Sequence, residues 1–324
     1  PKTRLLPDLL EYPPARRTAF MKPSLKDPNS SYLLPGDAHS ADTRECAIVQ
    51  ASADRYWIAP RPFLGPAFLS RLLSRLSGRD RNLNNRMGRA FEERMFSRMM
   101  SLGIRCRRGD LGTKGAKSGD ADLIIETDKL VALCEFKKKA LTRVSNSGHD
   151  LQLAVDLSRG LFSAVCQLAK QEIELLKTGR LKFVDGSELA LNGRRILKLV
   201  ISLSDHGGLH DANTVRNMLR ALQGATLTPR VDISSGQAAD MEEVNVALKL
   251  LATRSQEFSE LVDADSKVDL YDGLLFHNVF FIEQLLMTER TADKLLAALT
   301  LGMRIVTGTR DPFFDHADLS RASL

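Results

Sequence analysis

Two short apolar runs separated by three turn residues constrain this chain more than any other feature. Asp120-Ala-Asp-Leu-Ile-Ile-Glu126 and Leu130-Val-Ala-Leu-Cys-Glu-Phe-Lys137 flank Thr127-Asp128-Lys129. Each run is long enough for a strand and rich in residues that favour one, and the polar triplet suits a turn, so a β-hairpin is predicted. Side chains alternate across a strand, which puts Val131, Leu133, Glu135 and Lys137 on one face. In such a hairpin the acidic start of the first strand lies near the acidic end of the second. Asp122, Glu135 and Lys137 would then project together from one end of a sheet whose other positions (Leu123, Ile124, Ile125, Phe136) are too apolar for a solvated hairpin.

The flanking sequence extends this unit. Apolar residues at helical spacing (Phe91, Met95, Met99, Leu102) predict a helix over about Gly88–Leu102, stopped at Gly103. Glu92 falls inside its apolar arc, whereas Glu93 falls at the far edge beside Arg89. A carboxylate aimed into a core is costly unless a partner or a metal meets it, which singles out Glu92. A short strand is expected near Ile104–Arg107, then a Gly/Lys-rich loop over Gly109 to Gly119. Beyond the hairpin come a helix over about Val155–Lys177, a small hairpin at Leu181–Val184 and Glu188–Leu191, and a buried strand at Ile196–Leu203. Helix, strands, helix and strand in this order indicate a mixed α/β layer.

Outside this unit the reading is coarser. Ten of the twelve prolines lie at or before Pro66, so residues 1–66 read as a Pro-rich arm with short strands at Cys46–Gln50 and Arg55–Ile58. Residues 67–204 form the expected core, with a helical stretch around Phe68–Leu76. Residues 205–324 read as a mainly helical accessory region, with helices near Ala212–Leu222, Ala238–Val262 and Thr291–Leu301 and a strand at Leu275–Ile282. The order His206-Gly-Gly-Leu-His210-Asp211 reads as a turn before a helix, because its glycines keep both histidines off one helix face. His149 and Asp150 read as a surface loop.

Two carboxylates and an ammonium at a sheet end have a definite use. Mg²⁺ seeks oxygen ligands and keeps several waters. Asp122, Glu135 and the carbonyl of Phe136 could hold Mg²⁺ or Mn²⁺, which activates water and offsets charge on a phosphate. Lys137 could orient the water or stabilise a developing oxyanion.

The motif resembles that of the PD-(D/E)xK nucleases, a superfamily that includes many restriction enzymes and Holliday-junction resolvases. Gly119-Asp-Ala-Asp-Leu-Ile-Ile and Ala132-Leu-Cys-Glu-Phe-Lys look like its two motif strands, and Gly88-Arg-Ala-Phe-Glu92 fits the helix before them. The likeness covers about residues 88–204, and no proline precedes the aspartate. It implies a restriction-endonuclease-like mixed sheet flanked by helices. It also implies Asp122 and Glu135 as metal ligands, Lys137 as the catalytic lysine with Glu92 as its helper, and phosphodiester hydrolysis in DNA. Asp122 is preferred over Asp120 because it abuts the apolar run. The following helix, with Gln167, fits the family as well, although Gln167 by itself lies off that helix's apolar face and reads as surface.

Charge fits a polyanionic partner. The net charge is +6, and eleven arginines fall between Arg71 and Arg108; guanidinium forks match phosphate oxygens. Arg86, Arg89, Lys114, Lys117, Lys138 and Lys139 are the expected nucleic-acid contacts. Apolar residues at 43 % and charged residues at 27 % describe a globular chain. No apolar run approaches the roughly 20 residues that span a bilayer, and the opening residues hold no leader-like stretch, so no membrane contact and a cytoplasmic location are expected. Cys46, Cys106, Cys134 and Cys166 are scattered without a CxxC pair, which speaks for reduced thiols rather than zinc. No phosphate-binding glycine loop or nucleophile elbow is present. Two other classes stay open: a nuclease-like fold that binds nucleic acid without cutting, and a scaffold. A homo-oligomer or a protein partner would be met through the N-terminal arm or the C-terminal region.

Overall fold

A computed structural model of the chain describes residues 48–50, 56–58, 82–146, 148–263, 265–303 and 311–322. The expected helix at Phe68–Leu76 and most of the N-terminal arm lie outside these residues. The chain divides into two compact units, one of Pro1–Asn84 with Thr142–Asp150, the other of Asn85–Leu141 with Leu151–Leu324. In the first, β1 (Ile48–Gln50) pairs antiparallel with β2 (Tyr56–Ile58), close to the two short strands expected in the arm.

The second unit holds the sheet. In chain order its elements are α1 (Leu83–Ser101, its first two residues in the other unit), β3 (Cys106–Thr113), β4 (Ala116–Glu126) and β5 (Leu130–Lys137). After the four-residue helix α2 (Arg143–Asn146), which belongs to the first unit, come α3 (Asp150–Leu157), a π-helical turn at Ser158–Phe162 and α4 (Ser163–Thr178). The hairpin β6 (Arg180–Lys182) and β7 (Glu188–Ala190) follows, then β8 (Arg195–Ser202) and α5 (Ala212–Leu222). The chain closes with α6 (Ser235–Ser259), β9 (Leu274–Asn278), α7 (Val279–Thr288), α8 (Ala292–Leu301) and α9 (Pro312–Ala322).

The main sheet has five strands in the order β3-β4-β5-β8-β9. Its first two pairings are antiparallel, and β5–β8 and β8–β9 are parallel. The fold is therefore α/β with a mixed sheet. β5 runs down its middle, and a strand covered on both faces needs apolar residues at every position rather than alternate ones. On one face Ile124, Val131, Leu133 and Val200 pack against α4, α5 and α6; on the other, Leu123, Ile125, Ala132, Cys134 and Phe136 pack against α1, α7 and α8.

Three expectations are corrected. The Gly109–Gly119 loop is a hairpin: β3 runs to Thr113 and β4 starts at Ala116, leaving a turn at Lys114-Gly115. Its small and polar residues carry no alternation signal, and irregular register at Gly109 and Gly112 masks the rest. Gly112 has φ +125°, and a Cβ there would come 2.3 Å from the Ala116 carbonyl, so only glycine fits. The strand expected at Leu275–Ile282 stops at Asn278, whose side chain accepts a hydrogen bond from the Phe281 N–H (2.9 Å) and so caps α7. The segment 205–324 is no mere helical appendage. β9 completes the sheet beside β8, and α5 to α8 cover both its faces.

Among the described residues no helix is long and apolar enough to cross a membrane.

Candidate functional site

The parallel strands β5, β8 and β9 end together, and in open α/β sheets the crevice past such carboxyl ends is where ligands gather. The β4–β5 ladder runs from Glu126↔Val131 to Leu123↔Cys134. One more step at constant register sets Asp122 opposite Glu135. There the backbone pairing gives way to a side chain, because the Asp122 Oδ2 atom accepts the Phe136 N–H at 2.8 Å. Asp122 thus takes the place of a ladder carbonyl for Phe136, near the end of β5.

Glu135 is almost fully buried. Its Oε1 accepts from Lys137 Nζ at 2.8 Å, and the same ammonium donates to Gln167 Oε1 on α4 at 2.7 Å. Burial, then the charge of Asp122, pushes the Glu135 carboxyl up to about 7 against the opposing pull of Lys137. Burial, and then the charge of Asp120, also holds Asp122 above the usual carboxylate range, partly countered by the Phe136 N–H.

Glu92 and Lys138 approach from the other side of the sheet, on and against α1. Lys138, next to Lys137, points to the opposite face and donates to Asn85 Oδ1 at 3.3 Å, beside Gly88 and Glu92. Burial, followed by the charges of Asp122 and Asp120, raises the Glu92 carboxyl, so Glu92 lies within the field of both aspartates. Glu93 is exposed and accepts from Arg108 Nη2 at 2.6 Å, which separates the two neighbours in the way the helical arc predicts.

Several expected contacts are differently engaged. Lys139 pairs with the fully buried Asp156 carboxylate at 2.8 Å, and its stem lies 3.7 Å from where a Cβ would stand on Gly160, inside the π-helical turn. Lys117 pairs with Asp110 at 2.8 Å, and Lys114 sits exposed at the hairpin tip. Of the arginine stretch, Arg94 and Arg98 face Glu283, Arg105 and Arg107 face the buried Glu126, and Arg108 lies over the Phe96 ring. Arg86 and Arg89 remain exposed on α1.

Gln167, read from periodicity as surface, instead fixes Lys137. Asp156 went unremarked in the sequence, although a lone acid between Val155 and Leu157 in an apolar helix was the available signal. His210 is structural: its Nε2 accepts the His206 N–H at 2.9 Å and its Nδ1 lies 3.1 Å from the Phe276 carbonyl. Asp211 caps α5 by accepting from the Thr214 N–H at 2.7 Å. His149 and Asp150 are exposed.

The arrangement can stabilise added positive charge, because burial and neighbouring carboxylates raise the proton affinity of Glu135, Asp122 and Glu92 at one sheet end. Among the described residues, however, no group of three His, Cys, Asp or Glu side chains is drawn together tightly enough to enclose a metal ion. Comparison with protein-family models, with curated proteins and with solved structures finds no match to this chain.

Proposed function

We propose that this chain is a metal-dependent nuclease of the PD-(D/E)xK type, hydrolysing phosphodiester bonds in DNA, in defence or DNA processing. The observation that carries the reading is the sheet end itself. Asp122 lies one residue past the Leu123↔Cys134 pair and accepts from the Phe136 N–H beside Glu135, and Lys137 is held between Glu135 and Gln167. The donor chemistry fits a hard cation: Asp122 and Glu135 offer oxygens whose mutual repulsion a divalent ion would relieve, and Mg²⁺ needs few protein ligands because it retains waters. Mg²⁺ or Mn²⁺ bound there would acidify a water and offset charge on the phosphate. Asp122 also anchors the backbone of Phe136, so its carboxylate is fixed before any ligand arrives. Lys137, with two acceptors setting its direction, presents its ammonium to a phosphate oxygen or an attacking water. Glu92 lends a further acidic oxygen from α1, and Arg86, Arg89, Lys114 and Lys138 give phosphate contacts around the rim.

One observation favours a second reading, a nuclease-like fold that binds nucleic acid without cutting: Lys137 is already paired with Glu135, and among the described residues no three-ligand acidic set is assembled. A single experiment separates the two. Plasmid and single-strand cleavage is measured with Mg²⁺, Mn²⁺ and EDTA for the wild type, Glu135→Ala and Lys137→Ala. The nuclease reading expects metal-dependent cutting that falls by roughly 100-fold or more in both variants, with binding largely kept. Equal activity in wild type and variants would sink the site assignment, and binding without cutting in all three would favour the second reading.

A further inference from the structure

Helices α4 and α6 leave a cleft of about 330 Å³ between them. That is within the range of small-ligand pockets, roughly 300–1,000 Å³. Both helices present it a single face: Gln167 and Lys170 come from α4, and Val246, Leu250 and Arg254 from α6, with the buried Phe162 also lining it. On α6 these are positions i, i+4 and i+8 of one stripe, and two of them break the pattern of a solvated helix. Val246 is 58 % exposed and Leu250 41 % exposed, so the stripe is apolar where water should favour polar residues.

The polar groups around this apolar strip are cationic or donors. Lys170 Nζ donates to the Ser118 carbonyl at 2.5 Å and faces no carboxylate among the described residues. Arg254 gives Nη1 to Glu257 at 2.5 Å, but its Nε is buried with no acceptor among the described residues. Glu243, the acid at the rim, is already held by both arms of Arg159 at 2.5–2.6 Å. Gln167 joins the cleft to the candidate site, since its carboxamide oxygen accepts from Lys137 while its side chain lines the cleft. Whatever lies in the cleft is therefore one side chain away from the ammonium of the sheet end.

We infer that this cleft is a subsite for an unpaired nucleobase of the substrate strand next to the phosphate at Lys137, an inference that rests on the nuclease reading. A flat heterocycle matches the exposed apolar strip of Val246 and Leu250, beside the buried Phe162 ring that also lines the cleft, and its ring acceptors match the part-exposed guanidinium of Arg254. The neighbouring phosphates match Lys170. A base can enter only after leaving its pair, so the substrate is single-stranded or locally opened at the site.

The test is abasic scanning in EDTA, where cutting is off. A fluorescent single-stranded DNA carries one abasic site, moved along its length, and binding to the full chain is measured. The wild type is expected to lose about tenfold in affinity at one position, within the range that base contacts contribute, and to bind single strands more tightly than duplex. Leu250→Glu places a carboxylate on an exposed part of the strip and is expected to abolish that position-specific loss with its melting temperature unchanged. Should Leu250→Glu unfold, Val246→Trp fills the cleft from an exposed position and is expected to do the same. Uniform affinity at every abasic position overturns the subsite, as does a position-specific loss that survives both variants, or the absence of DNA binding. The two readings fail separately: a chain that shows the position effect but cuts nothing with Mg²⁺ loses the nuclease reading and keeps the subsite. A chain that cuts without a position effect loses only the subsite.

Discussion

At the scale of single residues, Glu135 shows how a site can work against the fold that carries it. Its carboxyl is raised from 4.5 to about 7, first by burial and then by the charge of Asp122. Between those two values the folded chain binds more protons than the unfolded one, so this residue's contribution to stability falls as pH rises, and above pH 7 its full charge opposes folding. Glu135→Gln is therefore expected to stabilise the metal-free protein at pH 8 by about 2–3 kcal/mol. That corresponds to a rise of roughly 3–6 °C in melting temperature. Thermal melts in EDTA at pH 8 and pH 4 check it: the difference should vanish at the lower pH, and an equal gain at both would mean that charge is not the cause. The same substitution should remove cleavage if the nuclease reading holds. Much of this was legible. The parity of a strand puts Glu135 and Lys137 on one face, and a helical arc separates Glu92 from Glu93. The partner of Lys137 was not, because Gln167 lies 30 residues further on and only packing of α4 against the sheet brings it within 2.7 Å.

At the scale of elements, one ion pair fastens α4 to the sheet. Lys198 of β8 is fully buried and pairs with Glu172 of α4, and it also donates to the Asp272 carbonyl at 3.1 Å. Removing one member of a buried pair strands the other's charge. Lys198→Ala is expected to cost roughly 3–5 kcal/mol, and Lys198→Met combined with Glu172→Leu to recover most of it. Urea unfolding of the single and double variants measures this, and a double variant as unstable as the single one would refute it. The junction of β9 and α7 gives a second case. Asn278 ends a strand whose residues (Leu274, Leu275, Phe276) continue smoothly into Val279, Phe280 and Phe281. Only His277 and Asn278 interrupt the apolar residues, too short a break for periodicity to end the strand before Ile282. The Asn278 side chain decides otherwise by accepting the Phe281 N–H. Asn278→Ala is expected to lose about 1 kcal/mol by the same unfolding assay, and an unchanged midpoint would show that the cap is dispensable. At the other end of such a helix, Gly179 closes α4 with φ +71° and returns its N–H to the Leu175 carbonyl at 2.9 Å.

At the scale of the whole molecule, acid sensitivity should come in part from buried histidine. Burial, then the charge of His210, pushes His277 down to about 3, and burial lowers His206 to about 4. Both rings are neutral in the fold and charge in the unfolded chain near pH 6.5. Their contribution is complete above that value and is lost as pH falls toward 4 and 3. His277→Phe should therefore gain on the wild type by about 2 kcal/mol between pH 7.5 and pH 5, apart from any constant packing cost. Melts across that range read the slope, and parallel curves for the two proteins would dismiss the linkage.

The sequence by itself determined what depends on neighbours along the chain. The hairpin of β4 and β5 follows from alternation and a polar turn, the buried strand β8 from an apolar run interrupted by Lys198, and helix α1 with its inward acid from spacing of three and four. Only the tertiary structure decided what depends on distant segments. β9, more than 70 residues beyond β8, joins the sheet as its fifth strand, because a parallel neighbour is chosen by packing and not by local pattern. Lys139 is claimed by Asp156, and Arg94, Arg107 and Arg108 by acids elsewhere, because an ion pair forms wherever the fold brings two charges together. The hairpin's acidic end was written in its residues. The contact of Gln167 with Lys137 and the cleft behind it exist only once the layers have closed.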